Sequence, residues 1–152
     1  MNKFDKQIIV VEKEKLFCEN YFQGFSNGNV DYEKRILENL KTMRRGNAEE
    51  DHSHKQPIGY ALIVNPSTKK VFAYQRASKD EHYTEKRLQG KWSWGFGGHI
   101  EPHDDMTNPI QTSLLRELDE ETGIKTPSRV IVLGYINDDR DDVGKVHFGI
   151  LY

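Results

Sequence analysis

Apolar residues fall into short runs along this chain, separated by long polar stretches. Gln7 to Glu12 carries Ile8, Ile9, Val10 and Val11 in succession, a β-branched run that predicts a strand, and a short helix is expected over Lys13 to Tyr21. Gln23 to Asn29 is rich in Gly, Ser and Asn and predicts a turn. From Asp31 to Met43, Ile36, Leu37 and Leu40 recur at helical spacing and predict a longer helix. Gly46 to Gln56 is almost devoid of apolar residues and is expected to be a flexible connection, with His52 and His54 facing solvent instead of binding metal. Tyr60 to Val64 reads as a buried strand, Asn65 to Lys69 as a turn, and Val71 to Arg76 as the hairpin partner. Residues 77 to 89 are charged and expected to form a loop. Lys91 to Phe96 then places Trp92 and Trp94 beside a Gly-Gly turn, where at least one of them should pack and Trp94 is a candidate for stacking on a base.

The strongest helical signal spans Pro109 to Thr122. Thr107 or Asn108 can cap it, Pro109 suits its first position and Gly123 its end. Ile110, Leu114, Leu115 and Leu118 form its apolar side. Val130 to Ile136 and Lys145 to Tyr152 then read as two strands joined by a solvated loop holding Asp138, Asp139, Asp141 and Asp142.

Composition narrows the class. A chain of 152 residues supports one domain, or one domain with an appendage. Lys plus Arg total 22 against 24 Asp plus Glu, so no basic field argues for binding a nucleic-acid polymer. The single cysteine, Cys18, excludes an internal disulfide framework, and its neighbours Leu16, Phe17, Tyr21 and Phe22 favour a buried structural thiol. No apolar run near the N-terminus is long enough for a signal peptide or membrane span, which makes the cytoplasm the default location.

The polar side of the 109–122 helix carries the chemistry. Glu117, Glu120 and Glu121 stand at i, i+3 and i+4, so their carboxylates share a face. Three like charges there repel one another, and a hard cation with a preference for oxygen ligands would relieve that repulsion.

The segment from Gly98 to Ile124 resembles the signature of the Nudix (MutT-like) hydrolases, G-x5-E-x7-R-E-U-x-E-E-x-G-U with U aliphatic. Gly98, Arg116, Glu117, Leu118, Glu120, Glu121, Gly123 and Ile124 match it. Asp104 stands where the pattern has Glu, and eleven residues (105 to 115) separate it from Arg116 where the pattern has seven. Loop closure costs rise slowly with length, so the longer loop is tolerable. The wider resemblance, from Ile58 to Tyr152, is to bacterial Nudix proteins with an N-terminal extension. It implies an α/β fold, a Nudix-like α/β/α sandwich on a mixed sheet, with residues 1–56 as the extension and 57–152 as the catalytic domain. Because the sequence reaches Tyr152 inside a strand-like run, two readings stay open: the domain lacks its C-terminal strand and helix and looks truncated, or the N-terminal segment 1–45 fills the structural gap.

The resemblance also implies hydrolysis of a diphosphate linkage in a nucleoside diphosphate derivative, with Mg²⁺ or Mn²⁺ as cofactor. Glu120 and Glu121 would hold the metal, Glu117 would bind metal or orient water, the Gly97 carbonyl would add an oxygen ligand, and Arg116 would be structural, holding the loop or a glutamate in place by bidentate hydrogen bonds. Arg76 and Trp94 are candidate substrate contacts. His99 is another, with a structural role equally open. The expected partner is a small nucleoside diphosphate derivative, with no nucleic-acid polymer and no membrane, and a homodimer is left open. A non-hydrolytic nucleotide-binding or regulatory module on the same fold is the alternative. A prenyl diphosphate isomerase is disfavoured, since residues 96 to 98 are Phe-Gly-Gly without the cysteine that chemistry needs.

Overall fold

The computed structural model describes residues 2–76, 90–102, 107–125 and 129–152. Its frame is a mixed sheet. The first strand, β1 (Gln7–Glu12), occupies the predicted span and is enclosed on both faces: Ile9 and Val11 join the main core, Ile8 and Val10 a smaller one behind the sheet. The central strand is β4 (His54–Leu62). It pairs in parallel with β11 (His147–Leu151) from Gln56 to Tyr60, antiparallel with β9 (Gly95–His99) from Ile58 to Leu62, and antiparallel with β1 at His54 and Lys55. The Ile9 N–H donates to the Ile100 carbonyl at 2.8 Å, which links β1 to the end of β9. The sheet runs β2-β10-β11-β4-β1-β3, with β9 also on β4; here β2 is Gly24–Ser26, β3 Lys41–Arg44 and β10 Gly134–Asn137.

Helices cover both faces. On one side lie α1 (Lys13–Phe17), α2 (Tyr32–Asn39) and α4 (Pro109–Thr122), sharing a core of Leu16, Phe17, Tyr32, Ile36, Ile110 and Leu114 with Phe148 and Ile150 of β11. Phe17, Phe22, Tyr32, Tyr135 and Phe148 stack edge to face with centroids 5.0 to 6.3 Å apart. On the other side α3 (Arg45–Ala48) sets Ala48 against Ile8 and Val10. Helix α5 (Asp142–Val146) precedes β11. This is the α/β sandwich on a mixed sheet expected from the sequence, and residues before position 57 build a large part of its core.

Several local expectations are corrected. The 31–43 helix stops at Asn39: Leu40 is extended, and Lys41 to Arg44 become an edge strand on β1, whose mostly exposed residues hide its strand character from a hydropathy pattern. The glycine-rich 23–29 segment contains β2, which pairs with β10. Gly46 to Gln56 is no free connection. Lys55 and Gln56 are buried because each polar head finds a partner, Lys55 in Asp139 and the Gly144 carbonyl, Gln56 in His99. His54 is tucked against Asp51 at 2.8 Å, with only His52 exposed. The helix predicted over 13–21 ends at Phe17, and Cys18 is exposed, not buried: it sits at a left-handed φ of 48° that closes the helix and turns the thiol outward. The 60–76 hairpin is reduced to β5 (Val64–Asn65) on β6 (Lys70–Val71), while β7 (Tyr74–Gln75) pairs with β8 (Trp92–Ser93). Val130 to Leu133 precede the strand instead of belonging to it. The charged loop at 77–89 lies outside the described residues.

Candidate functional site

Helix α4 forms as its local chemistry dictates. The Asn108 side chain accepts from the Gln111 N–H at 3.1 Å, Pro109 stands at the first turn, and Gly123 at φ 72° closes the end with its N–H on the Asp119 carbonyl. Ile110, Leu114 and Leu118 are buried beneath it. A cavity of about 550 Å³ runs along this apolar side between Leu114, Leu118, Ala61 and Tyr152. The carboxylates are elsewhere, on the side of α4 that meets β9.

Glu117 rests on the glycine turn. A Cβ built at Gly98 would stand 2.9 Å from the Glu117 carboxyl carbon, so only glycine leaves room for that side chain. Gly97 is tighter still, since a Cβ there would lie 2.0 Å from the Gly59 carbonyl oxygen of β4. Arg116 binds both neighbouring acids: its Nη2 is 2.8 Å from Glu117 Oε1, and its Nη1 donates to Glu120 Oε2 at 3.1 Å. It thus lies between two of the glutamates. Glu121 has its carboxyl raised above the usual range, first by burial and then by the charge of Glu117, while Arg76 opposes the shift. The structure therefore sets Glu117 on the Gly98 turn, ties it and Glu120 to Arg116, and brings the charges of Glu117 and Arg76 to bear on Glu121. Asp104 lies outside the described residues.

An all-oxygen donor set in which the charge of Glu117 bears on Glu121 fits a hard divalent cation. The Gly98 cradle fits it too, by letting a carboxylate approach the turn backbone. Arg116 draws Glu117 and Glu120 to itself, and the three carboxylates are not among the ligand groups that converge within 4.8 Å in the described residues.

The aromatic and histidine candidates separate from this cluster. Trp92 and Trp94 are 71% and 68% exposed, so neither packs as the sequence led us to expect; the ring that fills the position under the turn is Phe96, stacked on Tyr74 at 4.7 Å. Arg76 lies over the Tyr74 ring with its guanidinium carbon 5.8 Å from the centroid. His99 is not on the glutamate face. Side chains alternate along β9, so as Gly98 faces Glu117, His99 faces the α3 side, where its Nε2 meets Gln56 Oε1 at 2.8 Å and His147 Nε2 at 3.3 Å. Burial first, and then the charge of Arg45, hold the His99 imidazole down at about 3. Sequence reasoning missed Glu49 and His147 beside it, because β9 and β11 meet only through their separate pairings with β4, 48 residues apart in sequence at His99 and His147.

Comparison with known proteins agrees with the fold. The model of the NUDIX domain matches residues 55–151. Protein YmaB of Bacillus subtilis (strain 168) is 37% identical to this chain over 161 residues, covering 99% of the chain and 76% of the relative. Among solved structures, that of Tm1382, a protein assigned to the Nudix hydrolases, superposes with a TM-score of 0.77 at 27% identity, over 96% of this chain and 74% of the other.

Proposed function

The chain belongs to the Nudix family of hydrolases, and from that premise we propose that it cleaves a diphosphate linkage in a nucleoside diphosphate derivative, using Mg²⁺ or Mn²⁺. The observation that carries the reading is Glu117, seated on the Gly98 turn beside Arg116, Glu120 and Glu121 inside the matched region.

Glu120, Glu121 and the Gly97 carbonyl are the groups that hold the metal in this reading. When bound, the cation neutralises charge on the phosphate oxygens as the transition state develops. Glu117 has one oxygen occupied by Arg116, which fixes the carboxylate and leaves the other oxygen to orient and deprotonate the attacking water. Arg116 acts through the glutamates it positions, not on substrate. Arg76 supplies a guanidinium for a phosphate oxygen, and the exposed ring of Trp94 offers a face for the base.

The test is a panel of nucleoside diphosphate derivatives assayed with Mg²⁺ or Mn²⁺ for release of monophosphate. Turnover in the wild type should fall by at least about a hundredfold in Glu117→Gln with KM nearly unchanged, the signature of losing a group that acts in the transition state. Equal turnover in that variant would move water activation to another residue.

A further inference from the structure

On the sheet face opposite α4, a second group of ligand atoms converges. One carboxylate oxygen of Glu49 and ring nitrogens of His99 and His147 all lie within 4.8 Å of one another. The two Nε2 atoms stand 3.3 Å apart. Two imidazole nitrogens bound to one tetrahedral zinc at roughly 2.0–2.1 Å are separated by about 3.3 Å, the edge of that tetrahedron. The spacing is that of two ligands sharing an ion.

The surroundings point the same way. His147 Nδ1 is 2.7 Å from the Val143 carbonyl, which can only accept, so Nδ1 carries the proton and the Nε2 lone pair faces His99. A ring nitrogen tied to a backbone carbonyl while the other is free is how metal-bound histidines are oriented. Gln56 is 1% exposed, and its Oε1 is hydrogen-bonded to His99 Nε2 at 2.8 Å; an ion that displaces the proton between them would find Oε1 beside the two imidazoles as a fourth donor. Glu49 is aimed by Arg45, whose Nε lies 3.2 Å from its Oε1.

We propose that Glu49, His99, His147 and Gln56 form a binding site for a divalent transition ion of the zinc class, separate from the glutamates of α4. Two imidazoles with one carboxylate suit zinc and its neighbours and are poor ligands for Mg²⁺, which demands oxygen. Donor chemistry therefore sorts the two cations to opposite faces of one sheet. The ligands come from the end of α3, from β4, from β9 and from β11, so the ion ties the N-terminal segment to the strand that carries the Gly97–Gly98 turn. It acts as a structural clip, and the proposal is independent of which diphosphate the enzyme cleaves.

The full chain, stripped with a chelator, is titrated with Zn²⁺ by calorimetry and thermal unfolding, and with Co²⁺ by visible absorption. One equivalent of Zn²⁺ should bind and raise Tm by roughly 5–10 °C at a hundredfold excess over Kd. Co²⁺ should give the d–d bands of a four-coordinate nitrogen and oxygen site. His147→Ala and the milder Glu49→Gln should each weaken Zn²⁺ binding tenfold or more, while the Glu120→Gln, Glu121→Gln double variant should bind Zn²⁺ like the wild type. If His147→Ala does not fold, Glu49→Gln decides, together with histidine nitrogen resonances, which must shift for two imidazoles when Zn²⁺ is added to the wild type. Absence of stoichiometric binding, unchanged affinity in Glu49→Gln, or loss of affinity in the α4 double variant each overturns the proposal.

Discussion

A full charge with no solvent exposure sits at Lys55, balanced by the Asp139 carboxylate and the Gly144 carbonyl. Burial pulls the Lys55 ammonium below its usual range in spite of the pair, whereas for Asp139 burial alone would raise the carboxyl, but the hydrogen bond and charge of Lys55 outweigh it and hold it below its ordinary 3.8. Removing the acid strands the lysine, so Asp139→Ala should cost about 3 kcal/mol in a denaturant titration, and Lys55→Met considerably less. A carboxyl depressed in the folded state binds fewer protons there than when unfolded. Its contribution is thus complete above about pH 4 and fades as pH falls through the lower folded value, and wild type should lose more stability than Lys55→Met over that acid window. The glycine turn gives a second contrast. Gly97→Ala drives a methyl into the Gly59 carbonyl and should cost roughly 1–3 kcal/mol, whereas Gly98→Ala meets a movable carboxylate and should chiefly reduce turnover. Unfolding curves and kinetics on both variants separate the two. The stripe of Glu117, Glu120 and Glu121 could be read from spacing alone, since i, i+3 and i+4 fix a shared face. The lysine pair and the Glu49, His99, His147 group could not, because no local pattern announces a polar side chain buried by a partner far along the chain.

Among the elements, α4 was the most legible, its two ends both set by residues adjacent in sequence. Asn108→Ala should cost about 1 kcal/mol by freeing the Gln111 N–H, and Gly123→Ala a similar amount by forcing a Cβ into left-handed backbone. Each corresponds to a fall in Tm of roughly 2–4 °C in a chain of this size. Strand β1 was equally plain, four consecutive aliphatics being hard to accommodate except between two layers. Strands β2 and β3 were hidden for the opposite reason. Both lie toward sheet edges with mostly exposed or half-exposed residues, and their strand form comes from pairing with β10 and β1, not from their own pattern.

For the molecule as a whole, the layered architecture followed from alternating strands and one strong amphipathic helix; that residues 1–45 could fill a structural gap was one of two readings open in the sequence, but not which of them would do so. Ile9, Val11, Leu16, Phe17, Tyr32 and Ile36 fill the same core as Phe148 and Ile150, and Tyr152 donates to Glu33 at 2.9 Å. Deleting residues 1–45 should therefore abolish cooperative unfolding by circular dichroism and expose apolar surface to a hydrophobic dye, while the remaining residues still carry every glutamate of α4. The parallel ladder between β4 and β11 carries a further consequence, for the order of events in time. Its partners stand about ninety positions apart, from Gln56–His147 to Tyr60–Leu151, and β2 has to wait for β10 across a comparable span. Closing such distances precedes any reward from the contacts made, so the centre of the sheet forms late and slowly. On the ribosome, β1 and β4 are synthesised well before β11, leaving apolar strands without their final neighbours for much of translation, the interval in which a chain of this topology is most exposed to aggregation and most dependent on chaperones.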